Sequence, residues 1–256
     1  MRILGLGLIL LAAAGGQPSR KMIFEVASIE PAPPGRIGGS GIKAAPGGQT
    51  FQAVGASVKL IMSLMYRVPA SHIVGGPKWF EADHWDIDAK ASRPSSLEDL
   101  HLMFQSLLSD EFKLKFHKEM RPGQIYALIV DHSGLKMRPN NSAEDFTVSP
   151  ISRERSGTIT GTRVSLEALC WWLTQRMDGE GRPVVDKTGL KGFYDFTLSY
   201  MPEVLSGSDA HEVPPGMADL PELLTALREQ LGLKLVTQKG QVEYYIIDSV
   251  EPPVTK

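Results

Sequence analysis

The side chains of this 256-residue chain with most to offer chemistry are its six histidines and single cysteine. His84, Asp86 and Asp88 alternate along one short segment. On a strand they would point the same way, and an imidazole with two carboxylates is a ligand set for a divalent ion. The matching positions later in the chain, Phe193, Asp195 and Thr197, could not hold one. Polar residues on the solvent face of a half-buried strand account for the triplet without an ion, so neither a metal nor a cofactor is assigned. Cys170 lies one turn from Leu166 and Leu173, on what should be the core face of a helix. A thiol in apolar surroundings keeps its proton and is a poor nucleophile. Gly75-Gly76-Pro77 has no Lys-Ser or Lys-Thr pair opening a helix behind it, as a phosphate loop requires. Serine, histidine and acid combinations carry no weight without a local signature. No catalytic residue is therefore assigned, and an enzyme is the less favoured class.

The elements that would carry these residues are written twice. Phe24–Ile29 returns as Phe146–Ile151, and Ser57 followed by apolar residues returns as Ser165 with the same helical spacing. Trp85–Ala89 and Tyr194–Leu198 alternate as strands with one buried face. Leucine-rich helices follow, with Leu97, Leu100, Phe104, Leu107 and Leu108 in one copy and Leu220, Leu223, Leu224, Leu227 and Leu231 in the other. Each copy then closes on two apolar segments separated by Gly123 or Gly240, which reads as a hairpin. The expectation is an α+β protein: two tandem copies of a β-β-α-β-β-α-β-β unit, small sheets covered by helices, over residues 22–138 and 139–256. Pro- and Gly-rich stretches, Glu30–Gly48 and Ser206–Ala218, read as surface loops.

The first helix of each copy carries apolar residues on its outer side. With Leu166, Leu169, Cys170 and Leu173 inward, a step of about 100° per residue points Trp171 away from the core and Trp172 to the flank. In the first copy Leu60 and Leu64 fall outside in the same way. Together with Trp79 these are the candidate partner-binding residues, because exposed aromatics and contiguous apolar patches mark interaction surfaces. The same stripe could instead be where the copies pack on one another, or be covered by the long loops.

Phe24-Glu25-Val26-Ala27-Ser28-Ile29, Gly75-Gly76-Pro77-x-Trp79, Asp86-Ile87-x-Ala89-Lys90, Pro183-Val184-Val185-Asp186-x-Thr188-Gly189-Leu190, Gly192-x-Tyr194-Asp195-Phe196 and Gln230-Leu231-Gly232-Leu233-Lys234-Leu235 together resemble an uncharacterised envelope-protein family expanded in acidobacteria. Each half is also similar, in element order and in its Leu-Gly-Leu-Lys-Leu strand entry, to the short N-terminal domain of secretins and TonB-dependent receptors. That second resemblance implies a periplasmic module that engages other proteins, often through strand edges. Relatives of the first family fused to membrane metallopeptidase sensors imply nothing catalytic here, since the chain has no His-Glu-x-x-His.

Met1-Arg2, the apolar run Ile3–Ala14 and the small residues up to Gln17 read as a cleaved signal within residues 1–21. That run is shorter than the ~20 residues a membrane span needs, so no stable span is expected after cleavage. A formal net charge of −2 with no basic block argues against nucleic acid as a partner. The expected function is an exported, non-catalytic protein-binding module, periplasmic or secreted, whose partner is an envelope protein or peptide. Two alternatives place a site between the repeats. A hydrolase would bring His84 or His117 together with Asp186 or Asp195, and a small-ligand carrier would have a deep apolar cavity walled by Trp79, Phe80 or Trp172.

Overall fold

Serine starts three of the helices. Ser57 accepts a hydrogen bond from the Leu60 amide (3.3 Å), Ser96 from Asp99 (3.1 Å) and Ser165 from Ala168 (3.1 Å), each satisfying an amide the helix start leaves without a partner. The computed structural model describes residues 21–33, 41–142, 150–153, 158–177, 181–201 and 220–254. The expected signal, the middle of the first Pro- and Gly-rich loop, the start of the strand expected at Phe146 and the 206–218 loop lie outside the described residues.

The N-terminal part runs β1 (Val26–Pro31), β2 (Gly41–Ala44), β3 (Thr50–Ser57), α1 (Val58–Met65), a 3₁₀ turn (Ala70–His72), β4 (Ile73–Val74), α2 (Trp79–Ala82), β5 (His84–Lys90), α3 (Leu97–Glu111) and β6 (Lys115–Val130). The C-terminal part runs β7 (Arg138–Pro139), β8 (Ile151–Arg153), β9 (Thr158–Ser165), α4 (Leu166–Thr174), β10 (Val184–Asp186), β11 (Phe193–Ser199), α5 (Leu223–Ala226) with a π turn (Leu227–Leu231), and β12 (Leu233–Ser249). The fold is α+β, with three four-stranded sheets ordered β1-β5-β3-β2, β10-β6-β12-β4 and β7-β11-β9-β8. Among the described residues no helix is long and apolar enough to cross a membrane.

The outer two sheets carry the same irregularity. Register shifts between Ala53 and Ala56 in one and between Tyr194 and Phe196 in the other. At each bulge a residue sits in the left-handed region, Gly55 (φ 59°) and Arg163 (φ 51°). The amides of these residues donate to Asp86 Oδ1 and Asp195 Oδ1, both at 2.7 Å. An aspartate that accepts the freed amide of a bulge has a structural task, which removes Asp86 from consideration as a ligand.

The expected closing hairpins are absent. β6 runs straight through Gly123 and β12 straight through Gly240, and the two strands pair antiparallel along their length, with Gly123 opposite Gly240. A two-residue hairpin would need positive φ at its centre, and neither glycine has it. Their small size serves close approach instead. A Cβ on Gly123 would lie 2.8 Å from Val242 Cγ2, and one on Gly240 would lie 2.7 Å from Ile125 Cδ1. A glycine between two apolar segments here marks side chains crossing over the backbone, not a turn.

Pairing β6 with β12 gives each core a strand from the other part of the chain. Tyr245 and Val250 are buried with Phe51, Ile61 and Phe104, while Leu128 and Met137 are buried with Leu169, Phe196 and Leu227. Two short parallel strands complete the central sheet, β4 beside β12 (Ile73 opposite Tyr245) and β10 beside β6 (Val184 opposite Tyr126).

Candidate functional site

Where the two parts meet over the central sheet lies a cleft of about 660 Å³, between the end of α1, α4 and the Pro183–Asp186 segment. Arg67 follows α1 in a left-handed conformation (φ 51°). Its guanidinium donates to Glu98 Oε2 at 2.6 Å and to Glu167 Oε1 at 2.9 Å. Glu98 and Glu167 stand in the first turns of α3 and α4, where the helix dipole favours negative charge. One mostly buried cation therefore ties together two helix starts from opposite parts of the chain. Beneath it Tyr66 packs edge-on against Phe116 (5.0 Å) and Tyr245 (5.9 Å). Burial pushes the Tyr66 hydroxyl up to about 12. Lys118 Nζ lies 4.8 Å over the Tyr245 ring and 3.1 Å from Glu243 Oε2.

The remaining ionisable groups of the cleft are engaged in the same structural way. His72 is buried against Tyr244, and burial lowers its pKa despite a hydrogen bond to the Gly181 backbone. Burial, then the charges of Asp186 and Glu167, push the Cys170 thiol up to about 12, so at neutral pH it is not a nucleophile. Asp186 Oδ1 accepts from the amide and hydroxyl of Thr188 (2.8 and 2.7 Å), closing a turn.

The set a hydrolase would need does not converge. Asp186 lines the cleft, but Asp195 holds the β9 bulge and borders a separate hollow. His84 lies exposed on β5. His117 lies 2.8 Å from Asp248 Oδ1, whose hydrogen bond raises its pKa. Asp88 accepts from Gln52 Nε2 at 3.0 Å, and among the described residues no group of three or more His, Cys, Asp or Glu could hold a metal ion. Nor do Trp79, Phe80 or Trp172 wall the cleft as a carrier would have them do; Trp171 does.

The five candidate partner-binding residues do not form one surface. Leu60, Leu64 and Trp79 are half-buried and pack on the first core, where α2 leans on α1 and Glu81 pairs with Lys59 at 3.0 Å. Trp171 is half-buried and faces the cleft. Trp172, expected on the flank, is buried at 8% exposure, 6.1 Å from the Tyr200 ring and with Arg176 stacked 3.8 Å over it. The second core wraps further round α4 than its leucine spacing indicates, so a flank position there is interior.

Among the described residues a different surface is open. β1 pairs with β5 on one side, and no described strand borders its other side. Ala32 N donates to His84 O at 2.9 Å, so in the β1–β5 register Val26, Ser28 and Glu30 face β5 and the amides of Ala27 and Ile29 turn outward. Beside this edge a groove of about 490 Å³ is floored by Phe24 and by Met103 and Leu107 of α3. Ile23 (58%) and Val254 (87%) are exposed in its lining. Nothing in the local sequence separates this strand from an interior one; its edge position comes from sheet order.

Neither a curated protein nor a solved structure matches the chain. The family described as "Protein of unknown function (DUF3738)" matches residues 59–250, and the chain belongs to that family.

Proposed function

We propose that this chain is an exported, non-catalytic protein-binding module of a bacterial cell envelope, which takes an extended segment of a partner on the open edge of β1. The observation that carries the reading is that edge: two outward amides, at Ala27 and Ile29, above a groove with an apolar floor. An unpaired edge is a template for a further strand, with main-chain bonds giving affinity and side-chain pockets giving selectivity. The charged groups of the central cleft support the non-catalytic part, since they are spent on one another.

The same reading makes residues 1–21 a signal peptide and short linker, and residues 22–138 and 139–256 two copies of one α+β unit that share their closing strands. The twin bulges at Gly55 and Arg163, the twin caps Ser57 and Ser165, and left-handed residues entering β6 and β12 (Lys113, φ 50°; Gly232, φ 67°) support duplication. Membership of an acidobacterial envelope group, and kinship of each half with the short N-terminal domain of secretins and TonB-dependent receptors, belong to this proposal too.

A photoreactive residue at Ala27, in full-length protein expressed in a diderm bacterium, tests it. Adducts with an envelope protein from position 27 and none from Lys187, on protein released with the periplasm and shortened by its first residues, are the expected result. Equal labelling at both positions, or retention in the cytoplasm, would refute it.

A further inference from the structure

Among the described residues the groove beside β1 has one sign of charge: its lining includes Glu25, Glu30, Asp110 and Glu111 and no lysine or arginine. Asp110 is answered by Lys21, and Lys113 Nζ donates to the Asp110 carbonyl at 2.6 Å. Glu25, Glu30 and Glu111 pair with no cation among the described residues. Asp110 and Glu111 also end α3, which has no basic residue in its last turn. There the helix dipole already presents partial negative charge, and carboxylates add to it. A strand laid along Ala27–Ile29 would rest alternate side chains on Met103 and Leu107 and carry the others past the acidic rim.

From this we infer that the partner segment is an extended basic peptide, with lysine or arginine alternating with aliphatic residues. The inference rests on the edge-binding reading above and adds the chemistry of what binds. Alternation follows from the strand itself, since successive side chains point to opposite faces and only one face meets the apolar floor. The positive charge follows from the rim, because a cation within reach of Glu25, Glu30 or Glu111 gains attraction that a neutral or acidic residue does not. Lys90, opposite Val26 across the β1–β5 ladder, is not among the described residues that line the groove.

The test uses the chain lacking only its first 20 residues and three labelled ten-residue peptides of alternating Lys-Val, Gln-Val and Glu-Val, with binding followed by fluorescence anisotropy at 50 and 300 mM salt. The Lys-Val peptide should bind at least tenfold tighter than the Gln-Val peptide at 50 mM salt, with the Glu-Val peptide weakest. The preference should shrink at high salt. Replacing Glu25, Glu30 and Glu111 together by Gln should bring the ratio of Lys-Val to Gln-Val affinity down to about one. Ala27→Pro removes an outward amide from an edge strand that tolerates proline and should weaken all three peptides. Equal binding of the three peptides, lost in Ala27→Pro, would overturn the charge inference and leave the edge reading standing. Binding of Lys-Val unaffected by Ala27→Pro in a variant with unchanged circular dichroism would overturn both, as would binding of none of the peptides.

Discussion

If Gly123 lies where two strands cross and not in a turn, then a single added methyl group should collide with one identifiable partner. The Cβ of a Gly123→Ala variant would sit 2.8 Å from Val242 Cγ2, where carbon atoms normally approach to about 3.5–4.0 Å. Val242 is 4% exposed, and a β-branched side chain has little freedom to rotate away. Overpacking of this kind costs about 1–3 kcal/mol. The loss of glycine's unfolded-state freedom returns roughly 0.5–1 kcal/mol, leaving a net cost of about 1–2 kcal/mol. Val242→Ala alone removes buried methyl groups and should cost about 2 kcal/mol. In the double variant the alanine at 242 no longer meets the added methyl, so its cost should fall short of the sum of the singles by about 1 kcal/mol or more. Urea unfolding followed by tryptophan fluorescence and circular dichroism gives all three values. Additive costs would mean that residues 123 and 242 do not meet, and the continuous β6–β12 pairing would be refuted in favour of separate hairpins.

Because each core contains a strand from the other part of the chain, unfolding should be one transition, with fluorescence and circular dichroism coincident in urea; two separated midpoints would contradict the shared central sheet. Burial, then the charge of Arg67, pushes His101 down to about 4, below its unfolded value near 6.5. The unfolded chain therefore binds a proton the folded one refuses, so this contribution to stability is full above about pH 6.5 and declines as pH falls toward 4. A His101→Leu variant should show a flatter loss of urea midpoint between pH 7 and 4.5. Arg67→Gly should be more stable than Arg67→Ala by about 1 kcal/mol, since both lose the ion pairs but only glycine relieves the left-handed backbone; equal midpoints would show no strain there. Cys170 should react with a thiol reagent at pH 8 only after denaturant is added, and prompt reaction in the native protein would place the thiol at the surface.

What the sequence made legible was local. Serine caps before apolar runs located α1 and α4, leucine spacing located α3, and strict alternation located β5 and β11 with their buried faces correct. What it hid was non-local. The residues flanking Gly123 pair with a strand more than a hundred positions away, and no spacing rule distinguishes that from a turn pairing them with each other. Trp172 falls on the flank by helical phase but is interior, because Tyr200, just past the far end of β11, packs against it. Arg67 belongs to no motif, and its importance arises only when Glu98 and Glu167 are brought to it from two other helices. The open side of β1 is likewise a property of strand order.

The sharing of β6 and β12 also has a consequence in time. Tyr245 and Val250 fill a core whose other members were made before residue 115. A nascent chain still attached to the ribosome leaves that core unsealed until its final stretch has been synthesised, however early its own helices emerge.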